Sequence, residues 1–247
     1  MKKIMEQLMY TYHLIKVSRG RYWRANMVHA PFEIRTGARP RLLMAPTDDP
    51  SAAGCFFDVY VEDSYDLRTL AKSSTPKVIV DIGANIGVFS VYSQMMFPDA
   101  KIYAYEPNPV PFAWLEKNRE QFGFTTNRCA VSNSGGVMRF DPGSSSTNGV
   151  LSQAGEIEVS VMAATEVAEG KSIDLLKLDC EGGEWKIFED PALLRRSQHL
   201  TMEFHIIDQR GISDLCKLIV AGGHEVKYIL ERSGTPWGML RSVLKQK

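Results

Sequence analysis

The sequence contains four cysteines, and none is spaced to form a CxxC motif or a Cys/His metal site. We therefore predict free thiols in a reducing compartment. No apolar run approaches the roughly 18 residues that a membrane-spanning helix requires. The N-terminus carries two lysines but lacks the continuous apolar core and the cleavage site of a signal peptide. These absences predict a cytoplasmic protein without a transmembrane segment.

An excess of charge of one sign is also missing. Lysine and arginine together number 29 among 247 residues, and aspartate and glutamate also number 29. Because binding along a nucleic-acid backbone depends on an excess of positive charge, we expect no nucleic-acid partner. Two phosphate-binding motifs are absent as well: the Walker pattern G-x-x-x-x-G-K-[ST] and the complete dinucleotide pattern G-x-G-x-x-G.

From Lys77 onward, apolar runs of strand length alternate with segments of helical length. This alternation predicts an α/β fold of Rossmann-like type, a mostly parallel sheet with helices on both faces, in which "TTNRCAV" (125–131) is one strand. The loop "KSSTP" before Lys77 divides the chain into an N-terminal extension or lid at 1–75 and a core at 76–247. In the extension we predict an amphipathic helix at 1–24, then strands or a lid at "APFEIRTG" and "GCFFDVYVED".

One segment, residues 132–165, interrupts the alternation. A glycine- and serine-rich loop there separates two runs, "GGVMRFD" and "EIEVSVM", that read as a hairpin or flap. Three interpretations stay open: an edge hairpin, a substrate lid or a dimer arm. The N-terminal helix is a second candidate contact for a homodimer.

The stretch "VDIGANIG" has the form of a nucleotide-binding turn. Asp81 ends a predicted strand, Gly83 follows where the chain must turn, and Gly87 lies at the start of the next helix. Ligands of open α/β sheets bind at this end of the strands. Glu106 ends the next strand, 19 residues beyond Gly87, where a carboxylate accepts hydrogen bonds from ribose hydroxyls.

Two details favour S-adenosylmethionine over a dinucleotide. Asn85 stands where the nicotinamide fingerprint has its middle glycine, so the backbone cannot approach a pyrophosphate closely. Asp81 would repel a pyrophosphate and favour a sulfonium or an ammonium group. A nicotinamide-dependent oxidoreductase and a non-catalytic interaction module remain the alternatives.

Four segments carry a family resemblance: "VIVDIGANIGVFS", "YAYEPNP", "CAVSNSGG" and "IDLLKLDCEGGEWKIF". In order and spacing they resemble the FkbM family of class I S-adenosylmethionine-dependent methyltransferases, over roughly residues 57–207. Where that family commonly reads "DVEGAE", this chain has Cys180 and Gly183. The core at 76–247, including the flap, is then a methyltransferase core that binds S-adenosylmethionine. The resemblance implies that Glu106 holds the ribose and that Asn108 and the backbone near Ala130 flank the adenine. The residues it places at the methionine end are Asp81, Gly83, Asn85 and Gly87.

Acidic residues and one histidine end two further strands. Asp179 follows "LLKL", and Glu203 and His205 end "TMEFH" on one face of their strand. We predict Asp179, Glu203 and His205 as catalytic residues, with Asp179 as cofactor-amine contact or acceptor base and His205 oriented by Glu203. Alternatively, Asp179 caps a helix. With Glu181, these three residues could also hold a divalent cation, but no ligand spacing requires one.

The resemblance implies O-methylation of a hydroxyl on a sugar, a glycan or a secondary metabolite, with S-adenosylmethionine as donor. The partner is then a small-molecule or glycan substrate. The residues themselves do not identify this acceptor.

Overall fold

The computed structural model describes residues 32–36, 39–46, 51–143, 149–152, 154–207, 210–232 and 234–245. The helix predicted for residues 1–24 lies outside these ranges. All four cysteines are free thiols. Within the described ranges, no helix is both long enough and apolar enough to cross a lipid bilayer.

Strands and helices alternate through the core as the sequence pattern predicts. The strands are β1 (Phe32–Thr36), β2 (Arg39–Leu43), β3 (Val78–Ile82), β4 (Lys101–Tyr105), β5 (Thr125–Asn127), β6 (Ala130–Ser132), β7 (Gly136–Asp141), β8 (Val150–Leu151), β9 (Ile157–Ala163), β10 (Ile173–Leu178), β11 (Ser197–His205), β12 (His224–Glu231) and β13 (Trp237–Leu244). The α-helices are α1 (Ser51–Phe56), α2 (Leu67–Ser73), α3 (Val88–Met96), α4 (Pro109–Phe122), α5 (Glu184–Ile187), α6 (Ala192–Arg195) and α7 (Ile212–Ala221).

The central sheet has seven strands in the order β12-β13-β11-β10-β3-β4-β5. Strands β11, β10, β3, β4 and β5 run parallel, and β13 lies antiparallel between β11 and β12. Neighbouring side chains of β3 lie on opposite faces of the sheet, since Ile79 packs in one core cluster and Val80 in the other. The predicted α/β fold, a mostly parallel sheet covered on both faces, is therefore confirmed.

The predicted flap begins a second sheet. The sequence suggested one strand over 125–131, but the chain turns where the Cys129 N–H donates to the Asn127 carbonyl oxygen (3.0 Å). Strand β6 therefore leaves the main sheet and joins a four-stranded sheet of order β6-β9-β7-β8. Strands β7 and β9 form the expected antiparallel hairpin. It belongs to this second sheet and does not extend the edge of the main one.

One segment predicted as a strand or a lid is helical. The run "GCFFDVYVED" forms the end of α1 and a π-helix, Phe57–Val61. Alternating apolar residues suggested a strand, but the buried side chains are those of Ala52, Ala53, Phe56 and Val59. Their spacing is that of one helical face, which packs beside α3. Strand β13, at the opposite end of the chain, is an element that we did not predict.

Asn118 ties the N-terminal extension to the core. Its fully buried side chain lies on α4 and exchanges two hydrogen bonds with the backbone of Met44, at 2.7 and 2.9 Å. The same amide donates to the Ile86 carbonyl oxygen at 2.7 Å. One side chain therefore holds the segment after β2 against the turn that follows β3.

We predict that Asn118→Ala lowers the free energy of unfolding by about 2–4 kcal/mol, because each buried backbone group left unpaired costs about 1–3 kcal/mol. Urea denaturation measures the change. Glu120→Ala, an exposed position on the same helix, is the matched control and should stay within about 0.5 kcal/mol of the parent. Equal effects of the two variants would contradict the proposed clamp.

Candidate active site

The turn after β3 depends on an uncommon backbone conformation and on close packing. Gly83 has φ +76°, and a Cβ atom there would lie 1.7 Å from the Asp179 carbonyl oxygen. Asn85 also has a positive φ, 51°, and its N–H donates to Glu106 Oε2 at 2.9 Å. The turn therefore packs against the end of β10 and presents backbone N–H groups toward β4.

Gly87 has a packing role. Its φ is +90°, and an added Cβ atom would lie 2.6 Å from Leu115 Cδ1 on α4. Gly87 is not part of the cavity wall described below. The absent side chain lets α4 approach the start of α3.

Asp81 is fully buried and paired with Lys177, which is 3% exposed. Lys177 Nζ lies 2.9 Å from Asp81 Oδ1 and donates to the Gly83 carbonyl oxygen at 2.7 Å. Ser90 Oγ donates to the other Asp81 oxygen at 2.7 Å. Burial lowers the pKa of Lys177, but Asp81 and Asp179 outweigh burial, so the pKa is raised and the ammonium stays charged.

This pairing corrects our electrostatic argument about Asp81. We expected its carboxylate to face the ligand and to repel a pyrophosphate, but Lys177 neutralises it and it does not line the cavity. Asp81 instead supports the turn through Lys177 and Gly83. The sequence contained a signal for this pair, namely a lysine within the apolar run "IDLLKL".

Glu106 and Asn108 follow the end of β4. The Glu106 carboxylate is 7% exposed and accepts the N–H groups of Asn85 (2.9 Å) and Asn108 (2.7 Å). Burial raises the pKa of Glu106 to about 7, against the opposing effect of these two hydrogen bonds. The Asn108 side chain caps α4 by accepting from the Val110 N–H at 3.1 Å. Each Glu106 oxygen still has a lone pair for a ligand hydroxyl.

A cavity of about 480 Å³ opens at the carboxyl ends of β3, β4 and β10. This volume lies within the range of about 300–1,000 Å³ typical of small-molecule sites. Of the predicted cofactor residues, Gly83, Asn85, Glu106 and Asn108 line it, whereas Asp81 and Gly87 do not. Apolar side chains of the second sheet form part of the wall: Met138, Phe140, Val150 and Leu151.

Asp179 is the one predicted catalytic residue in the cavity wall. Tyr65 donates its hydroxyl hydrogen to Asp179 Oδ2 at 2.8 Å, and Lys177 Nζ lies 3.9 Å from the same oxygen. Burial and the neighbouring carboxylate raise the pKa of Tyr65 well above its usual value, so its hydroxyl remains a donor. Tyr65 lies in the extension, where no motif marked it, and sequence reasoning missed it.

His205 and Glu203 lie behind this wall. His205 Nε2 is 3.2 Å from Glu181 Oε2 and 3.5 Å from Glu203 Oε1, and Nδ1 is 3.3 Å from Glu184 Oε1. Burial alone would lower the pKa of His205, but the three carboxylates raise it to about 12. Burial raises the pKa of Glu203 to about 7. As a bound cation, His205 lacks the free lone pair that a general base requires.

A possible metal-ligand set lies at the same place. Asp179, Glu181 and His205 each offer one ligand atom, and these three atoms lie within 4.8 Å of one another. The residues come from the ends of β10 and β11 and from the turn between β10 and α5.

The two departures from the family motif lie in contact with each other. A Cβ atom at Gly183 would lie 3.2 Å from Cys180 Sγ. The same Cβ atom would lie 3.2 Å from the Cys180 carbonyl oxygen, so an alanine at 183 would lie close to both the backbone and the thiol of Cys180.

The fold and the cavity define a class of protein. Magnesium protoporphyrin IX methyltransferase (ChlM) from Synechocystis PCC 6803, solved with bound SAM, superposes with a TM-score of 0.52 at 10% identity, over 94% of each chain. At this identity the likeness shows the fold alone, which is that of class I methyltransferases.

The match to a family model identifies the family. Residues 81–232, more than half of the chain, match the methyltransferase FkbM domain. The chain belongs to this family, which confirms the predicted S-adenosylmethionine-dependent methyltransferase domain and sets aside the nicotinamide-dependent alternative.

Two named relatives are similar to part of this chain. The "31-O-demethyl-FK506 methyltransferase FkbM" of Streptomyces tacrolimicus is 28% identical, over 53% of this chain and 66% of the relative. The "Hexuronic acid methyltransferase AglP" of Haloferax volcanii is 25% identical, over 59% and 64%. The chain thus spans less than two thirds of the length of these relatives.

We predict that Lys177→Met lowers the free energy of unfolding by about 3–5 kcal/mol, because it leaves the Asp81 carboxylate buried without its partner. Adding Asp81→Asn should restore part of the loss. Lys72→Met, at an exposed position of α2, is the control. Chemical denaturation measures all four proteins, and a double variant no more stable than Lys177→Met would contradict the coupling.

Proposed function

We propose that this protein transfers the methyl group of S-adenosylmethionine to a hydroxyl oxygen of a small molecule or glycan. One observation carries the proposal: the Glu106 carboxylate faces the cavity beside the Asn85 turn, at the end of the strand next to β3. A carboxylate at this position accepts hydrogen bonds from both hydroxyls of a ribose.

In this proposal each cavity residue has a separate task. Glu106 holds the ribose, Asn108 and the backbone near Ala130 flank the adenine, and the turn at Gly83 and Asn85 receives the methionine end. Asp81 and Lys177 act indirectly by fixing that turn. Asp179 lines the same cavity and would face the methyl group of the bound donor.

The reaction is an in-line displacement. The bond between the methyl carbon and sulfur breaks as the bond between that carbon and the acceptor oxygen forms, and the sulfonium becomes the neutral thioether of S-adenosylhomocysteine. The hydroxyl proton passes to the carboxylate of Asp179. Tyr65 holds this carboxylate in place through Oδ2, and much of the acceleration comes from aligning the two reactants.

The acceptor side of the cavity supports a hydroxylated organic molecule. Its wall combines the apolar residues of β7 and β8 with Trp185, Lys186 and Arg210. The names of two relatives specify an O-methyl site on FK506 and a hexuronic acid, respectively. A sugar or a secondary metabolite with a free hydroxyl is therefore the proposed acceptor class.

Among the three interpretations of the flap, the substrate lid is the one we propose. Met138 and Phe140 of β7 and both residues of β8 line the cavity, so the second sheet contributes directly to the cavity wall. The division at residue 76 becomes a proposal of the same kind: the extension supplies Tyr65 and Cys55 to a cavity built mainly by the core.

Glu106→Gln should weaken binding of S-adenosylhomocysteine by about 10- to 100-fold, since hydrogen bonds to a charged group contribute about 1.5–3 kcal/mol. Calorimetry measures the affinity, with Glu120→Gln as control. Unchanged affinity in Glu106→Gln would remove the ribose role.

The raised pKa of Glu106 adds a test by pH. If the cofactor binds the ionised carboxylate, wild-type affinity should rise by up to about tenfold per pH unit below 7 and level off above it. Glu106→Gln should lack this dependence. The same slope in both proteins would contradict the assignment.

A screen of sugars and hydroxylated metabolites with labelled methyl donor tests the activity. We expect transfer to at least one acceptor class, and Asp179→Asn should lose most turnover while S-adenosylhomocysteine binding changes little, because the substitution keeps the shape but removes the proton acceptor. Tyr65→Phe should show a smaller loss. Cofactor binding without transfer across the screen would favour the non-catalytic alternative, and full turnover in Asp179→Asn would exclude Asp179 as the base.

A further inference from the structure

We propose that Asp179, Glu181 and His205 bind a divalent cation of the Mg²⁺ or Mn²⁺ class at the acceptor end of the cavity. Asp179 and Glu181 line the cavity, and His205 lies directly behind Glu181. The site is separate from the turn and the carboxylate that receive the cofactor in the proposed function.

The distances between the ligand atoms suit such an ion. His205 Nε2 lies 3.2 Å from Glu181 Oε2, and all three ligand atoms fall within 4.8 Å of one another. Around an octahedral ion with bonds of about 2.1 Å, adjacent ligands lie about 3.0 Å apart and opposite ligands about 4.2 Å apart. Small side-chain rotations are therefore enough to bring the three atoms to bonding distance. Glu203 Oε1, 3.5 Å from the same nitrogen, is available as a fourth ligand.

A second observation comes from Glu184, which is fully buried behind the imidazole. Its Oε1 accepts the Cys180 N–H at 3.2 Å and lies 3.3 Å from His205 Nδ1. A hydrogen bond from Nδ1 to a carboxylate is the usual support of a metal-binding histidine, and it turns Nε2 toward the ion. Glu184 Oε2 has no hydrogen-bond partner in the described part of the chain, so this buried carboxylate lies beside the cluster with one oxygen unpaired.

The charges and the atom types define the class of ion. Four carboxylates, those of Asp179, Glu181, Glu184 and Glu203, surround one imidazole. An oxygen-rich set with a single nitrogen favours hard divalent ions, and imidazole makes Mn²⁺ a suitable probe. On binding, the ion replaces the proton on Nε2 and adds positive charge to the cluster.

The ion would have a role in the reaction. A hydroxyl bound to a divalent cation loses its proton more readily, so an acceptor coordinated there would be a better nucleophile. Asp179 has two carboxylate oxygens and can bind the ion while still accepting that proton. This consequence rests on the proposed methyl transfer, but the binding of the ion does not.

The test uses Mn²⁺ alone with the intact chain, without cofactor or acceptor. Electron paramagnetic resonance of free Mn²⁺ should show one bound ion per chain. Glu181→Gln and His205→Gln should each weaken binding by at least about tenfold, and Glu184→Gln by about 10- to 100-fold. The exposed Glu120→Gln should bind as the wild type does.

Two further measurements make the result decisive. Circular dichroism without Mn²⁺ establishes that Glu181→Gln and His205→Gln are folded. Glu181 lines the cavity and is the more exposed of the two side chains, so the result does not depend on the buried Glu184. Calorimetry with S-adenosylhomocysteine on the same samples measures cofactor binding independently of the cation. Absence of Mn²⁺ binding by the wild type at about 1 mM, the weak end of protein sites, or equal affinity in folded Glu181→Gln and His205→Gln, would overturn the cation site and leave the methyltransferase proposal intact. Absence of cofactor binding by a wild-type protein that binds Mn²⁺ would overturn the methyltransferase proposal and leave the cation site intact.

Discussion

The buried ion pair between Lys177 and Asp81 holds the turn after β3, around which the site is built. Lys177 joins the ends of two neighbouring parallel strands, because it rises from β10 and binds Asp81 and the Gly83 carbonyl oxygen beyond β3. A charge inside the sheet is costly unless it is fully paired. That pairing fixes the backbone of the turn. The fixed backbone allows the Asn85 N–H to donate to the Glu106 carboxylate.

In the proposed function, the cavity has two parts of different construction. The part assigned to the cofactor consists of backbone groups and one carboxylate, held by the ends of β3 and β4. The part assigned to the acceptor draws on distant segments, including Tyr65 of the extension and Asp179 of the core. Such a division would keep the donor site constant and allow the acceptor wall to differ among proteins with the same fold.

The sequence predicted the parts of the molecule that depend on local pattern. Apolar periodicity predicted the alternation of β3, α3, β4 and α4, and the four segments with a family resemblance indicated the family. It failed at two local features: a two-residue turn leads β6 into another sheet, and "GCFFDVYVED" is helical, with Phe56 and Val59 on one buried face. The role of Asp81 could not be predicted without knowing that Lys177 lies on the adjacent strand. The role of Tyr65 could not be predicted without knowing that the extension packs against Asp179, 114 residues later in the chain.

A crystal structure of the intact chain with S-adenosylhomocysteine tests the proposed site directly. We expect both ribose hydroxyls to donate to the Glu106 carboxylate, Lys177 to keep its contacts with Asp81 and Gly83, and the thioether sulfur to face Asp179. A cofactor bound away from Glu106, or with its sulfur turned away from Asp179, would overturn the proposed site.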